Sequence, residues 1–113
     1  MTVSDLIKKT GWQPLTEISK APVRYAYVCD LLSLAMANMR PGTVWITVQS
    51  HLNVVAVASL AGCCCVVIPE NIEVSEETLH AAHTKGVCIL SAGCSAYGAS
   101  CMLSRLGMGE VPK

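Results

Sequence analysis

Phenylalanine is absent from this chain, and aromatic residues of every kind make up only 4% of it. Core volume must therefore come from Val, Ala, Leu, Ile and Met. Charge is scarce too, at 14% of residues against ~25% in an average globular domain. Eight basic and eight acidic residues cancel, and no basic stripe runs along any segment. The electrostatic footprint of a nucleic-acid binder is missing. No apolar run reaches the ~18 residues of a membrane span. The opening residues, MTVSDLIKKT, lack the apolar region of a signal peptide. A cytoplasmic protein without nucleic-acid or membrane partners is expected.

Motif absences narrow the chemistry. There is no G-x-x-x-x-G-K-[ST], so P-loop phosphoryl transfer is not expected. There is no G-x-G-x-x-G after a strand and no G-x-S-x-G. Seven cysteines form no C-x-x-C and no disulfide framework. In a reducing compartment they read as core thiols that pack as small hydrophobes, a usage that would suit an anaerobe. Cys63, Cys64 and Cys65 are adjacent in a strand pattern, so they alternate faces and cannot converge on one metal. His80 and His83 share a helix face but lack a third ligand. No cofactor and no metal is expected.

What is present is an apolar α/β pattern. A length of 113 residues suits one domain, which can bury about two thirds of its unfolded surface. Residues 2–9 read as a helix, with Thr2 and Asp5 spaced as in a capping box. Residues 12–21 read as irregular, punctuated by Pro14 and Pro22. Residues 23–29, VRYAYVC, read as a strand, and Asp30 opens a helix with Leu31, Leu34, Ala35 and Met39 on one face. After the turn Arg40-Pro41-Gly42 comes a buried strand over 44–48, a polar turn Gln49-Ser50-His51, and a helix over Leu52–Ala61 that is apolar almost all round. Residues 63–68 form a strand, 69–74 a loop, and Ser75 caps a helix closed by Gly86. Residues 87–90 form a strand and Ser95 starts the last helix. The end of the chain reads as frayed.

Alternating strands and helices with unbroken apolar strands imply a parallel sheet between helix layers. The expected fold is a three-layer α/β/α Rossmann-like domain with a mainly parallel sheet of about four to five strands. In such sheets ligands bind outside the carboxyl ends of the strands. Residues that suit a ligand edge gather at those ends: Asp30; Thr47, Gln49, Ser50, His51 and Asn53; Pro69, Glu70 and Asn71; Ser91, Gly93 and Ser95. Asp30, Ser50 and Ser95 also suit helix N-caps. The first turn of the 52–61 helix offers an imidazole, an amide and a hydroxyl together. With helix N-termini aimed at the same edge, the set suits a nucleotide or another small anion. The low-charge surface predicts a homodimer, and Ala56, Ala58 and Ala61 could form either an intradomain contact or a dimer seam.

The segments YVCDLLSLAMANMRPG and WITVQSHLNVVAVASL, followed by an apolar strand, resemble the stand-alone DRTGG domain over nearly the whole chain. The most specific parts are Tyr27 through Ser33 and residues 45–60. The Gly-Gly that the resemblance expects falls on Tyr25 and Ala26. Arg24 stands where Thr is expected, and Lys20 and Ala21 where Asp and Arg are. The resemblance implies a single DRTGG-like domain over 1–113, related to the N-terminal domain of HPr kinase and to regulatory domains of phosphotransacetylase and regulated pyrophosphatases. It implies a non-enzymatic, dimeric regulatory or ligand-sensing role. Two alternatives stand beside it: an assembly module of an anaerobic redox (iron-only hydrogenase) system, and a small thiol redox protein or enzyme using His51 or Cys29.

Overall fold

The computed structural model describes residues 1–112. Six strands form one sheet in the order β1-β5-β4-β3-β2-β6, with β1 at Gln13–Pro14, β2 at Tyr25–Val28, β3 at Thr43–Ile46, β4 at Cys65–Ile68, β5 at Ile89–Ser91 and β6 at Gly109–Glu110. All pairings are parallel except β1 with β5. The sheet exceeds the expected four to five strands by two-residue edge strands. Neither carries the long apolar run that marks a strand in sequence.

β1 lies inside the stretch expected to be irregular. Pro14 cannot donate to a ladder, which confines it to an edge. The pairing with β5 is continued by Leu15 N–H to the Ile89 carbonyl (2.8 Å) and by the Thr16 hydroxyl, which donates to the Val87 carbonyl and accepts from Ile89 N–H. β6 corrects the expectation of a frayed end. Gly109 and Glu110 pair with Tyr25 and Ala26, and Val111 N–H donates to the Ala26 carbonyl.

Five helices cover the sheet: α1 (Val3–Thr10), α2 (Leu32–Asn38), α3 (Leu52–Ala61), α4 (Glu76–Lys85) and α5 (Ala96–Arg105). Ala35, Val54, Val55 and Ala82 from α2, α3 and α4 pack with Trp45, Val66, Ile68 and Ile89 on one face. Val3, Leu6, Ala99 and Leu103 from α1 and α5 pack with Val44, Ile46, Cys65, Val67 and Leu90 on the other. The strand period of two sorts successive side chains between these layers. The fold is a three-layer α/β/α domain.

Caps fix most helix ends. Thr2 and Asp5 form the reciprocal capping box, and the Thr2 backbone N–H, then its hydroxyl, hold the Asp5 carboxyl below its usual range. Ser75 and Ser95 each accept a first-turn N–H, from Thr78 and Gly98. Gly62 and Gly86 close α3 and α4 in the left-handed conformation that glycine adopts without strain. α3 buries one face only, through Val54, Val55 and Ala58, and leaves Leu60 at 78% exposure. The expectation of an all-round apolar helix holds for its sequence and not for its surroundings.

Between β2 and β5 the chain steps one strand at a time in one direction, and each connecting helix stays on the same face. After β5 the chain passes to the opposite face in α5 and returns to the far edge as β6. The adjacent strands β4 and β5 therefore send their helices to opposite faces.

α5 supplies a test of the burial pattern. Leu103→Ala, fully buried, should lower stability by about 2–5 kcal/mol. Tyr97→Ala on the same helix, at 79% exposure, should stay within about 0.5 kcal/mol. Urea denaturation at equilibrium measures both.

Candidate functional site

At the carboxyl edge of the sheet the main-chain ladder between β2 and β3 runs out at Cys29, whose N–H donates to the Ile46 carbonyl (3.3 Å). Side chains take over from there. Trp45 Nε1 donates to the Cys29 carbonyl (2.9 Å), giving the buried indole its partner. Asp30 does not cap α2. The N-cap position is Leu31, which makes no side-chain bond. Instead Asp30 Oδ1 accepts the Thr47 hydroxyl (2.9 Å) and the Val48 N–H (3.0 Å). The Thr47 hydroxyl in turn accepts Gln49 N–H (3.1 Å), and Gln49 Nε2 donates to the Asp30 carbonyl (3.1 Å). Thr47 N–H also bonds the Val67 carbonyl, so this one residue links β2, β3 and β4.

Asp30, Thr47 and Gln49 are thus brought together, and they satisfy one another. Thr47 is 1% exposed, so its hydroxyl needs that carboxylate. The reason Asp30 leaves the cap is energetic. A cap N–H can turn to water, whereas the buried Thr47 hydroxyl cannot.

The turn that follows presents Ser50, His51 and Asn53. Ser50 is not the cap of α3. His51 holds that position, in extended backbone and without a side-chain bond to the first turn. Its carbonyl accepts Val54 N–H (3.0 Å). The side chains of His51 and Asn53 are exposed, and no acidic residue occupies the first turn. Ser91 and Ser95 are not part of this group. Ser91 is the last residue of β5, half-buried and paired with Ile68 and Gln13. Ser95 spends its hydroxyl on capping α5. β4 separates β5 from β3, a spacing of roughly 10 Å at strand separations near 4.8 Å.

The adjacent strands whose helices diverge, β4 and β5, mark the crevice where ligands of open parallel sheets bind. The crevice is laced shut by two main-chain bonds, Glu70 N–H to the Cys94 carbonyl (2.8 Å) and Asn71 N–H to the Ala92 carbonyl (3.2 Å). Glu70 and Asn71 adopt φ of 63° and 53°, and Asn71 lies against Gly93, where a Cβ would sit 3.5 Å from its Oδ1. Strand order locates this crevice, and strand order is not readable from one sequence. The Pro69-Glu70-Asn71 run and Gly93 were its only local signals.

Among the described residues no group of three or more His, Cys, Asp or Glu side chains is placed to hold a metal ion. Cys64 and Cys65 join the same core layer and Cys63 the other. β4 begins at Cys65, so Cys63 and Cys64 precede the strand rather than alternate within it. Burial pushes the Cys63 thiol up to about 12. It raises Cys88 as well, while Cys65 is raised first by its bond to Cys64, which is lowered in exchange. Cys64 Sγ donates to the Thr43 carbonyl (3.2 Å). Burial at Cys63, Cys65 and Cys88 thus works against the thiolate that redox chemistry needs.

No protein-family model and no curated protein matches the sequence. The structure does have a solved counterpart. It superposes with a TM-score of 0.74 on the crystal structure of the CBS and DRTGG domains of the regulatory region of Clostridium perfringens pyrophosphatase, complexed with its activator diadenosine tetraphosphate. The fold is DRTGG-like. Identity is 10%, and the match covers 90% of this chain and 45% of that one. Within this DRTGG-like fold the positions expected to be Gly-Gly, Tyr25 and Ala26, are strand residues paired with both β3 and β6. They lie at the amino edge of the sheet, at the opposite end of the strands from Asp30, Thr47 and Gln49. No helix among the described residues is long and apolar enough to cross a membrane.

The clasp makes a definite stability prediction. Asp30→Ala strands the buried Thr47 hydroxyl, at a cost of about 1–3 kcal/mol, while the exposed Val48 N–H can turn to water. Adding Thr47→Val to Asp30→Ala should recover part of that loss. A double-mutant cycle by urea denaturation should therefore give a non-additive pair; additivity would mean that the two side chains act separately.

Proposed function

We propose that this chain is a non-enzymatic regulatory domain, one DRTGG-like domain over 1–113, that senses a nucleotide or another small anionic ligand in the cytoplasm as a homodimer. One observation carries the reading: the chain shares its fold, at a TM-score of 0.74, with a structure of a regulatory region bound to a nucleotide activator. The ligand is assigned to the start of α3. Its first N–H groups have no side-chain cap, the helix dipole is positive there, and Ser50, His51 and Asn53 stand beside them. Asp30, Thr47 and Gln49 support this site by fixing the turn from below. Ser91 and Ser95 are left to the β5 side of the edge, where a ligand long enough to cross β4 would meet them.

The homodimer is supported by the outer surface of α2 and α3. These helices pack side by side and expose Leu34 (47%) and Leu60 (78%), with Leu31 (62%) exposed at the N-cap of α2. Single exposed leucines are ordinary, but three on one layer of a low-charge chain are apolar surface that a second copy would cover. The same surface favours the second reading, an assembly module for a redox or hydrogenase system. Co-purification from the native host separates the two, since only the module predicts a stable foreign partner.

Two outcomes are expected. In a thermal-shift panel of nucleotides, a ligand at a hundred times its dissociation constant should add ~2.7 kcal/mol of stability. His51→Ala and Asn53→Ala should each reduce that shift without altering the unliganded melting temperature. A panel without any shift would remove the sensing role. In light scattering after size exclusion, Leu34→Glu combined with Leu60→Glu should convert a dimer into a monomer. A native chain that is already monomeric would remove the dimer.

A further inference from the structure

The chain has three arginines, and two of them meet at the amino edge of the sheet. A cleft of about 430 Å³ opens there between the start of β2, the turn before β3 and the end of α3. Arg24, Tyr25, Arg40, Gly42 and Gly62 line it, and among the described residues no carboxylate does. Its volume falls within the roughly 300–1,000 Å³ of small-molecule sites.

Both arginines spring from fixed backbone. Arg24 N–H donates to the Gly42 carbonyl (2.8 Å), and its aliphatic stem lies on Gly42, where an added Cβ would come within 2.9 Å of Cδ. Gly42 has φ of 91°, so glycine is needed for the turn and for the close approach alike. Arg40 is held through Thr43, which is fully buried. The Thr43 hydroxyl donates to the Arg40 carbonyl (2.6 Å) and accepts from Arg40 N–H (3.2 Å).

A bland role for these cations is to neutralise the carboxyl ends of α2 and α3, which face the same edge. Each helix end carries about half a negative charge. Two guanidinium groups therefore leave about one positive charge over, in a cleft where no acid among the described residues stands. Guanidinium forks match phosphoryl oxygens in pairs, which lysine cannot do.

We propose that this cleft binds a phosphate-bearing small molecule, with Arg24 and Arg40 clamping its phosphoryl oxygens. The site is separate from the start of α3 and does not depend on it. Arg24 and Tyr25 belong to the segment in which the chain departs from the DRTGG motif, so the cationic cleft is a property of this chain's own residues.

The test is calorimetry and thermal shift of the full chain with pyrophosphate, ATP and adenosine. Both phosphates should bind and adenosine should not. Arg24→Lys and Arg40→Lys should each weaken binding by about tenfold, with the unliganded melting temperature unchanged, while Tyr97→Ala, exposed on α5 and outside both sites, leaves the affinity intact. ATP binding more tightly than pyrophosphate identifies a nucleotide as the occupant, and equal affinity identifies an inorganic phosphate. The proposal is overturned if neither phosphate binds at millimolar concentration, if adenosine binds as well as ATP, or if both lysine variants bind normally. A phosphate lost with His51→Ala but kept by both lysine variants would uphold the α3 site and reject this one.

Discussion

β3 and β4 have no solvent face. Residues 43–47 and 64–69 are buried without interruption. Every polar group on this stretch must find a partner inside the protein, because an unmade bond there costs about 1–3 kcal/mol. The main-chain groups are answered by the parallel ladder. The side chains that carry polar atoms sit at the two ends of the strands: Thr43 at one, Thr47 at the other, with Trp45 between them reaching out to the Cys29 carbonyl. Both threonines bind backbone or carboxylate of the neighbouring connection. The loops at both edges of the sheet are thus positioned by the same demand.

That demand explains what could be read from the sequence and what could not. Apolar runs over 44–48 and 63–68 announce doubly covered strands, because burial on both faces removes the alternation. Thr2 with Asp5, Ser75 and Ser95 announce helix starts, because capping is a local interaction between residues three apart. Asp30 looked like a fourth cap by the same rule. Its carboxylate instead crosses 17 positions in sequence to Thr47. A local preference lost to a buried hydroxyl that no local pattern reveals. β1 and β6 were hidden for a related reason. Two residues at a sheet edge need only their backbone groups in place, so Gln13-Pro14 and Gly109-Glu110 carry no side-chain signature. The strand order was hidden as well, and with it the β4–β5 crevice.

The candidate residues separate under the same logic. Asp30, Thr47 and Gln49 spend their hydrogen-bonding capacity on one another and on backbone, which makes them a clasp. Ser50, His51 and Asn53 have no such obligation in the protein. The clasp fixes the turn that carries them, so the free groups stand on rigid backbone, the arrangement that favours recognition at low entropic cost. Proximity in sequence suggested one site over residues 47–53. The bonds divide it into a support and an exposed face.

The amino edge repeats the division with formal positive charge on its exposed groups. Buried Thr43 is the support, and Arg24 and Arg40 are the exposed groups it and Gly42 hold in place. At 10% identity the shared DRTGG-like fold carries over little of the side-chain chemistry. Tyr25 and Ala26, extended and paired on both sides, do not require the freedom of the Gly-Gly that the resemblance expects. A strand can hold a side chain at each of those positions, and here those side chains set the chemistry of the edge. Tyr25 becomes part of the cleft wall, and Arg24, one residue earlier, brings a guanidinium to a place where the resemblance expects a hydroxyl. The scaffold constrains the ends of its strands only through the partners its buried threonines need. Everything exposed beyond those partners is free to differ between chains with the same fold, and the ligand preference proposed above would be set there.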